Sequence, residues 1–276
     1  MDCRYCQLDK KLTREHIIPN FIYKFQHNSG LPKVGWNQKA NDVIGGEAKI
    51  GDVCEECNNG PLSDLDAYGQ NFLITNGFLS QTFTKTSTDI YYDYFQLIRW
   101  LMKISYNAAT AVDDKHASAF DMYRDFILTG QPEPGVNDIV LFAGISSPLL
   151  LTGKLEEETN IVVTDDNLCA PFYMRITQNN NKYLQKGIIK RELYFGSIFF
   201  HIAICKNSKI SKNQFVRELC NTESIKYISP NTSACHVKTC GKTWFEINQE
   251  EYMIECEAVG YETMDAKMKK LKIPKK

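Results

Sequence analysis

Four cysteines in two close pairs, Cys3-Arg-Tyr-Cys6 and Cys54-Glu-Glu-Cys57, carry the most specific chemical signal in this chain. Two thiolates three positions apart can bend round one ion as a knuckle, and two such knuckles complete a tetrahedral site. The spacing therefore predicts one structural zinc held by Cys3, Cys6, Cys54 and Cys57. Between the knuckles stands Glu15-His16, and Asn58 follows the last cysteine directly. A carboxylate, an imidazole and an amide clamped near one another are the inventory of a hydrolytic metal site. Four thiolates leave the zinc no open position, so His16 is expected to face solvent near a second ion.

Placing these groups requires a short strand within Lys11 to Ile18, ended by Pro19, and a second strand near Ala48 to Val53. After Cys57 a helix should start or kink at Gly60-Pro61, with Leu62, Leu65, Tyr68 and Phe72 on its inner face. Residues 20 to 53 hold Asn28-Ser29-Gly30, Pro32, Gly35 and Gly45-Gly46 and, up to the second strand, read as an irregular loop.

Glu15-His16-Ile17-Ile18-Pro19 followed by Cys54-x-x-Cys57-Asn58-Asn59-Gly60 resembles the HNH endonuclease family, over about residues 3 to 70. The resemblance implies a zinc-stabilised ββα-metal unit that hydrolyses phosphodiester bonds of DNA, or of RNA, leaving 5′-phosphate and 3′-hydroxyl ends. It implies His16 as general base, with Glu15 and Asn58 as ligands of a catalytic Mg²⁺ or Mn²⁺ ion. Asp64 or Asp66 could replace Glu15 as a ligand, and Asn59 could orient Asn58 or the ion from outside. The family's middle Asn corresponds best to Asn41, then to Asn37. The setting implied is restriction, phage defence or a mobile element. The competing reading is a zinc finger that binds nucleic acid or protein without cutting.

The chain has 276 residues, of which 43% are hydrophobic, and a formal net charge of -1. That length suits two units, and the near-neutral balance argues against a nucleic-acid footprint spread over the whole surface. A ligand-bearing start at Met1-Asp2-Cys3, with no apolar leader, leads to the expectation of a reducing, cytoplasmic setting for the ten cysteines. No run reaches the roughly 20 apolar residues of a membrane helix. The basic tail from Lys267 to Lys276 reads as a solvated end.

The fold class read from these patterns is α+β, with an HNH-like unit over 1–75 and a larger α+β domain over 76–276. In the latter, Tyr91 to Ala111 reads as a helix capped by Asp89, and about Lys115 to Leu128 as a second, ended by Gly130. Together they form a helical hairpin over about 91–130. Ile139 to Ile145, Asn160 to Thr164, Phe172 to Thr177 and Leu193 to Cys205 read as strands, the last as one central strand. Ser211 caps a helix to about Cys220, and a last helix runs from Gln249 to about Val259. This domain is expected to recognise the target or a protein partner. Cys235-His236-x-x-x-Cys240 and His201-x-x-x-Cys205 fit no familiar metal knuckle and read as buried thiols.

Overall fold

The first cysteine pair sits in a turn at Gln7 (φ 57°) that delivers the chain into strand β1 (Leu12–His16). A computed structural model describes residues 2–30, 34–37, 42–112, 116–131, 135–151, 162–178, 181–206 and 208–250. Pro19 has no N–H to continue a ladder, and helix α1 (Asn20–Asn28) begins after it. Strands β2 (Val34–Asn37) and β3 (Asp42–Gly45) pair as a hairpin. Strand β4 (Lys49–Cys54) then returns antiparallel to β1, from His16 opposite Lys49 to Leu12 opposite Cys54, with a bulge between Thr13 and Glu15.

From Cys54 the chain turns directly into helix: α2 (Glu55–Cys57), an irregular turn over Asn58–Leu62, and α3 (Ser63–Thr75). The expected kink is at Gly60, where ψ is -112°. Leu62, Leu65 and Phe72 are buried, and the half-buried Tyr68 uses its hydroxyl to bind both the N–H and the carbonyl of Asp93.

The helix expected from Tyr91 starts later. Residues Ser87–Tyr91 form strand β5, because Ile90 turns inward while its neighbours face out and β13 supplies a ladder partner. Helix α4 (Tyr94–Ala111) is capped by Asp93, whose Oδ1 accepts from the Gln96 N–H at 2.9 Å, and not by Asp89. The second helix is broken: a tight turn of helix over Ala117–Tyr123 leads into α5 (Arg124–Thr129), which ends at Gly130 in the left-handed conformation.

Beyond α5 lie β6 (Ile139–Ser147), β7 (Leu149–Leu150), β8 (Leu168–Cys169), β9 (Met174–Gln178) and helix α6 (Asn181–Gln185). The stretch read as one central strand is two: β10 (Ile189–Phe195) and β11 (Ile198–Ile204) pair as a hairpin. The turn is set by Gly196 at φ 61°, where a Cβ would also lie 2.9 Å from the Phe172 ring. Helix α7 (Lys212–Glu223), capped by Ser211 as expected, precedes β12 (Lys226–Ile228) and β13 (Ala234–Thr243). The main sheet runs β5-β13-β6-β11-β10-β9, with β12 also on β6. Residues 244–250 are helical, so helix begins before the expected Gln249; the rest of the expected helix to Val259 and the lysine-rich tail lie outside the described residues, as do residues 160–161 of the expected strand at 160–164.

Strands β6 and β11 are buried almost throughout, and mostly apolar, because both faces of the sheet are covered. On one face Trp100 of α4 stacks on Phe195 at 4.8 Å, and α3 approaches so closely that a Cβ on Gly69 would lie 2.1 Å from the Trp100 ring. On the other, Phe215 of α7 packs against Phe142. Residue 75, expected to divide two units, ends a helix whose Leu65, Phe72 and Leu73 belong to one buried apolar cluster with Cys3, Tyr5, Trp100, Phe195 and Val237. Among the described residues no helix is long and apolar enough to cross a membrane.

Candidate metal centre and the groups around His16

Cys3 and Cys6 come from the turn before β1, Cys54 ends β4 and Cys57 lies on α2. Pairing of β1 with β4 closes the 48-residue gap, and the four Sγ atoms lie within 4.8 Å of one another. The Arg4 N–H bonds the Asp52 carbonyl at 2.8 Å, which lays the first knuckle against β4. The Cys54 N–H donates to Cys3 Sγ at 3.3 Å. Burial pushes the Cys3 thiol up, but N–H groups of Cys54, Cys6 and Tyr5 outweigh it and bring it down to about 7. Burial raises Cys54 and Cys57, and neighbouring sulfurs add to the rise at Cys57. One thiolate is thus favoured by the protein alone, and a divalent cation is what would ionise the rest. The cluster is close enough to bind a metal, and a closed all-sulfur donor set is compatible with zinc.

Consecutive residues of a strand point to opposite faces, and Glu15 and His16 divide accordingly. His16 is on the open side, its side chain 19% exposed, with Nε2 donating to Glu47 Oε2 at 3.0 Å. Lys49, the residue opposite His16 in the ladder, holds the same carboxylate oxygen at 2.9 Å. Tyr23 of α1 lies beside the imidazole and accepts from the Ala48 N–H at 2.8 Å, so the ring, α1 and the β4 approach are tied together.

Glu15 goes into the core. Its side chain is 5% exposed and its Oε1 lies 2.6 Å from Lys103 Nζ, which is also 2.7 Å from Asp66 Oδ2. Burial holds the Glu15 carboxyl above its ordinary range, with Lys103 pulling the other way. Asn58 stands at the helix start and donates from Nδ2 to Thr13 Oγ1 (3.0 Å) and to the Arg14 carbonyl (3.1 Å), stitching the helix to the β1 bulge. Asn59 and Asp64 are exposed. Asn37 belongs to β2, opposite Asp42, and Asn41 lies outside the described residues.

The structure therefore brings His16 together with Glu47, and Glu15 together with Lys103 and Asp66. Glu47, Lys103 and Asn107 escaped sequence reasoning. For the last two a signal existed, since a lysine and an asparagine four apart interrupt an otherwise apolar helical stripe.

Among the described residues one other group has metal-ligand spacing: Glu192, His201 and Glu223. Lys190 Nζ already sits 2.7 Å from Glu192 Oε1 and 3.2 Å from Glu223 Oε1, and Tyr194 donates to Glu192 Oε2 at 2.9 Å. Lys190 thus pairs with both carboxylates, and the cluster is a largely buried ion network. His236 pairs with Asp89 across β13 and β5. Comparison of the chain with protein-family models, with curated proteins and with solved structures finds no match.

Proposed function

We propose that this protein is a metal-dependent endonuclease of HNH type, which cuts phosphodiester bonds of DNA, or of RNA. The observation that carries the reading is local: a strand hairpin and the helix after it surround a four-cysteine cluster, and His16 stands at the open end of the first strand. Glu47 accepts from Nε2, which leaves Nδ1 as the nitrogen able to take a proton from a water aligned on the phosphorus. Glu47 thereby fixes the tautomer and the ring and stabilises the imidazolium that forms.

A Mg²⁺ or Mn²⁺ ion, when bound, would supply Lewis-acid charge stabilisation at the phosphate. Glu15 does not fit as its ligand, because its carboxylate is committed to Lys103, so the proton transfer above involves only protein groups and water. That same commitment favours the second reading, a zinc-stabilised module that binds nucleic acid or protein without cutting. The larger sheet-bearing part of the chain would recognise target or partner.

Plasmid nicking with added Mg²⁺ or Mn²⁺ decides between them. His16→Ala should keep its zinc and its nucleic-acid affinity and lose orders of magnitude in rate. Asn58→Ala should lose rate that higher metal partly restores if Asn58 is a ligand. Equal rates for His16→Ala and parent would overturn the assignment, and a parent that binds tightly and never cuts would establish the binding module.

A further inference from the structure

We infer that Asn107 is a positioning residue for His16, acting from helix α4 through the His16 backbone; the inference rests on the role proposed for His16. Asn107 is fully buried, 91 positions away in sequence, and its Nδ2 donates to the His16 carbonyl at 3.2 Å. Its Oδ1 accepts from the Tyr5 hydroxyl at 2.6 Å. Tyr5 is itself fully buried and lies within the first knuckle, between Cys3 and Cys6. One amide thus joins the cysteine cluster to the residue proposed to do chemistry.

The bond to His16 has a definite mechanical effect. The next N–H, that of Ile17, donates to the Ala48 carbonyl at 3.0 Å. The peptide between His16 and Ile17 is therefore held on its oxygen side by α4 and on its nitrogen side by Ala48, the residue just before β4, which restrains its plane from rotating. With the backbone fixed, the imidazole reaches Glu47 at 3.0 Å and lies 6.2 Å from the Tyr23 ring, centroid to centroid. A buried amide is costly unless its groups are paired, and a leucine would fill this space without that penalty. The identity of Asn107 is explained by the two bonds it makes. A strand end without the Asn107 bond would fray, and misplacement of a reacting group by about 1 Å can cost on the order of 100-fold in rate.

Asn107→Asp separates the two bonds, since it can still accept from Tyr5 but sets an oxygen against the His16 carbonyl. Its zinc content should match the parent, kcat should fall on the order of 100-fold, and KM should stay within about twofold because no substrate contact is touched. In a His16→Ala background the same substitution should cost no further rate, whereas a merely structural lesion would cost the same in both backgrounds. If Asn107→Asp loses its zinc, Asn107→Ala, which removes both bonds without placing an acceptor at the carbonyl, is read in the same way. A readout free of activity is the proton NMR contact between the His16 and Tyr23 rings, expected in the parent and weakened in the variant. An unchanged ring contact, or an unchanged kcat in an active parent, overturns the positioning role. A parent that never cuts removes the nuclease reading, while the ring contact still decides whether Asn107 holds His16.

Discussion

Replacing Lys103 by Met tests how the hairpin is fastened to α4. The side chain is 1% exposed, and its ammonium lies 2.6 Å from Glu15 and 2.7 Å from Asp66 and donates to the Leu62 carbonyl at 3.4 Å. Methionine preserves length and removes the charge, leaving the buried Glu15 carboxylate and the partly exposed Asp66 carboxylate without their cation. Breaking a buried pair by deleting one partner costs about 3–5 kcal/mol. At this chain length that is a fall in melting temperature on the order of 10 °C. The loss should depend on pH. Burial already holds Glu15 above its ordinary range against the pull of Lys103, and deleting the lysine lets it rise further. A carboxyl with a raised folded pKa contributes stability that is complete below its unfolded pKa and disappears as pH rises through the folded value. The penalty should therefore be smaller at pH 5 than at pH 8. Urea unfolding followed by the fluorescence of Trp100, one helical turn from Lys103, measures both. Adding Glu15→Gln and Asp66→Asn should recover most of the loss, because no unpaired charge then remains. A penalty under about 1 kcal/mol, or one independent of pH, would refute the view that Glu15 and Lys103 form a desolvated pair.

Cys54→Ser should lose zinc and melt the hairpin, since metal binding and folding are coupled in such clusters; metal analysis that finds no zinc in the freshly purified parent would remove the centre altogether. For Glu192, burial raises the carboxyl but His201 and Lys190 outweigh it and hold it at about 2. Its stabilisation is complete above the ordinary carboxylate range and fades as pH falls from about 4 towards 2, so Glu192→Gln should flatten that part of an acid-unfolding curve. Residues 76–276 alone would expose the face of α4 that carries Trp100, Lys103 and Asn107; this fragment should be insoluble or unfold without cooperativity, and a sharp unfolding transition would show that a division near residue 75 is real.

The sequence was most legible where chemistry or a local signal set the structure. Paired cysteines announced the cluster, Gly60-Pro61 the kink, Gly130 and Ser211 the helix ends. It was least legible where a distant partner decided the outcome. Ser87–Tyr91 became a strand because β13, some 145 residues later, lies beside it, which moved the cap of α4 from Asp89 to Asp93. The run from Leu193 to Cys205 is nearly all apolar and reads through Gly196-Ser197, so no polar alternation marked the turn there. In the candidate site, His16 and Asn58 stood out by type and place. Glu15 beside His16 suggested one shared ion, but strand geometry separates neighbours onto two faces. The partners that each face offers, Glu47 on one side and Lys103 on the other, come from elements that no local pattern joins.

The excursion between β1 and β4 leaves the ladder immediately after His16 and re-enters it at Lys49, two residues after Glu47. Its two ends are therefore fastened by the same residues that make the site, and α1 is anchored by the buried Ile22 and Tyr23. The β2–β3 hairpin is inserted between these two fixed points. Lengthening an inserted segment costs little, since closure entropy grows by only about 0.6 kcal/mol for each doubling of its length. The chain can thus gain or lose residues there while the cysteine cluster and His16 keep their places. Variation in the surface beside His16 is cheapest at that point of the sequence.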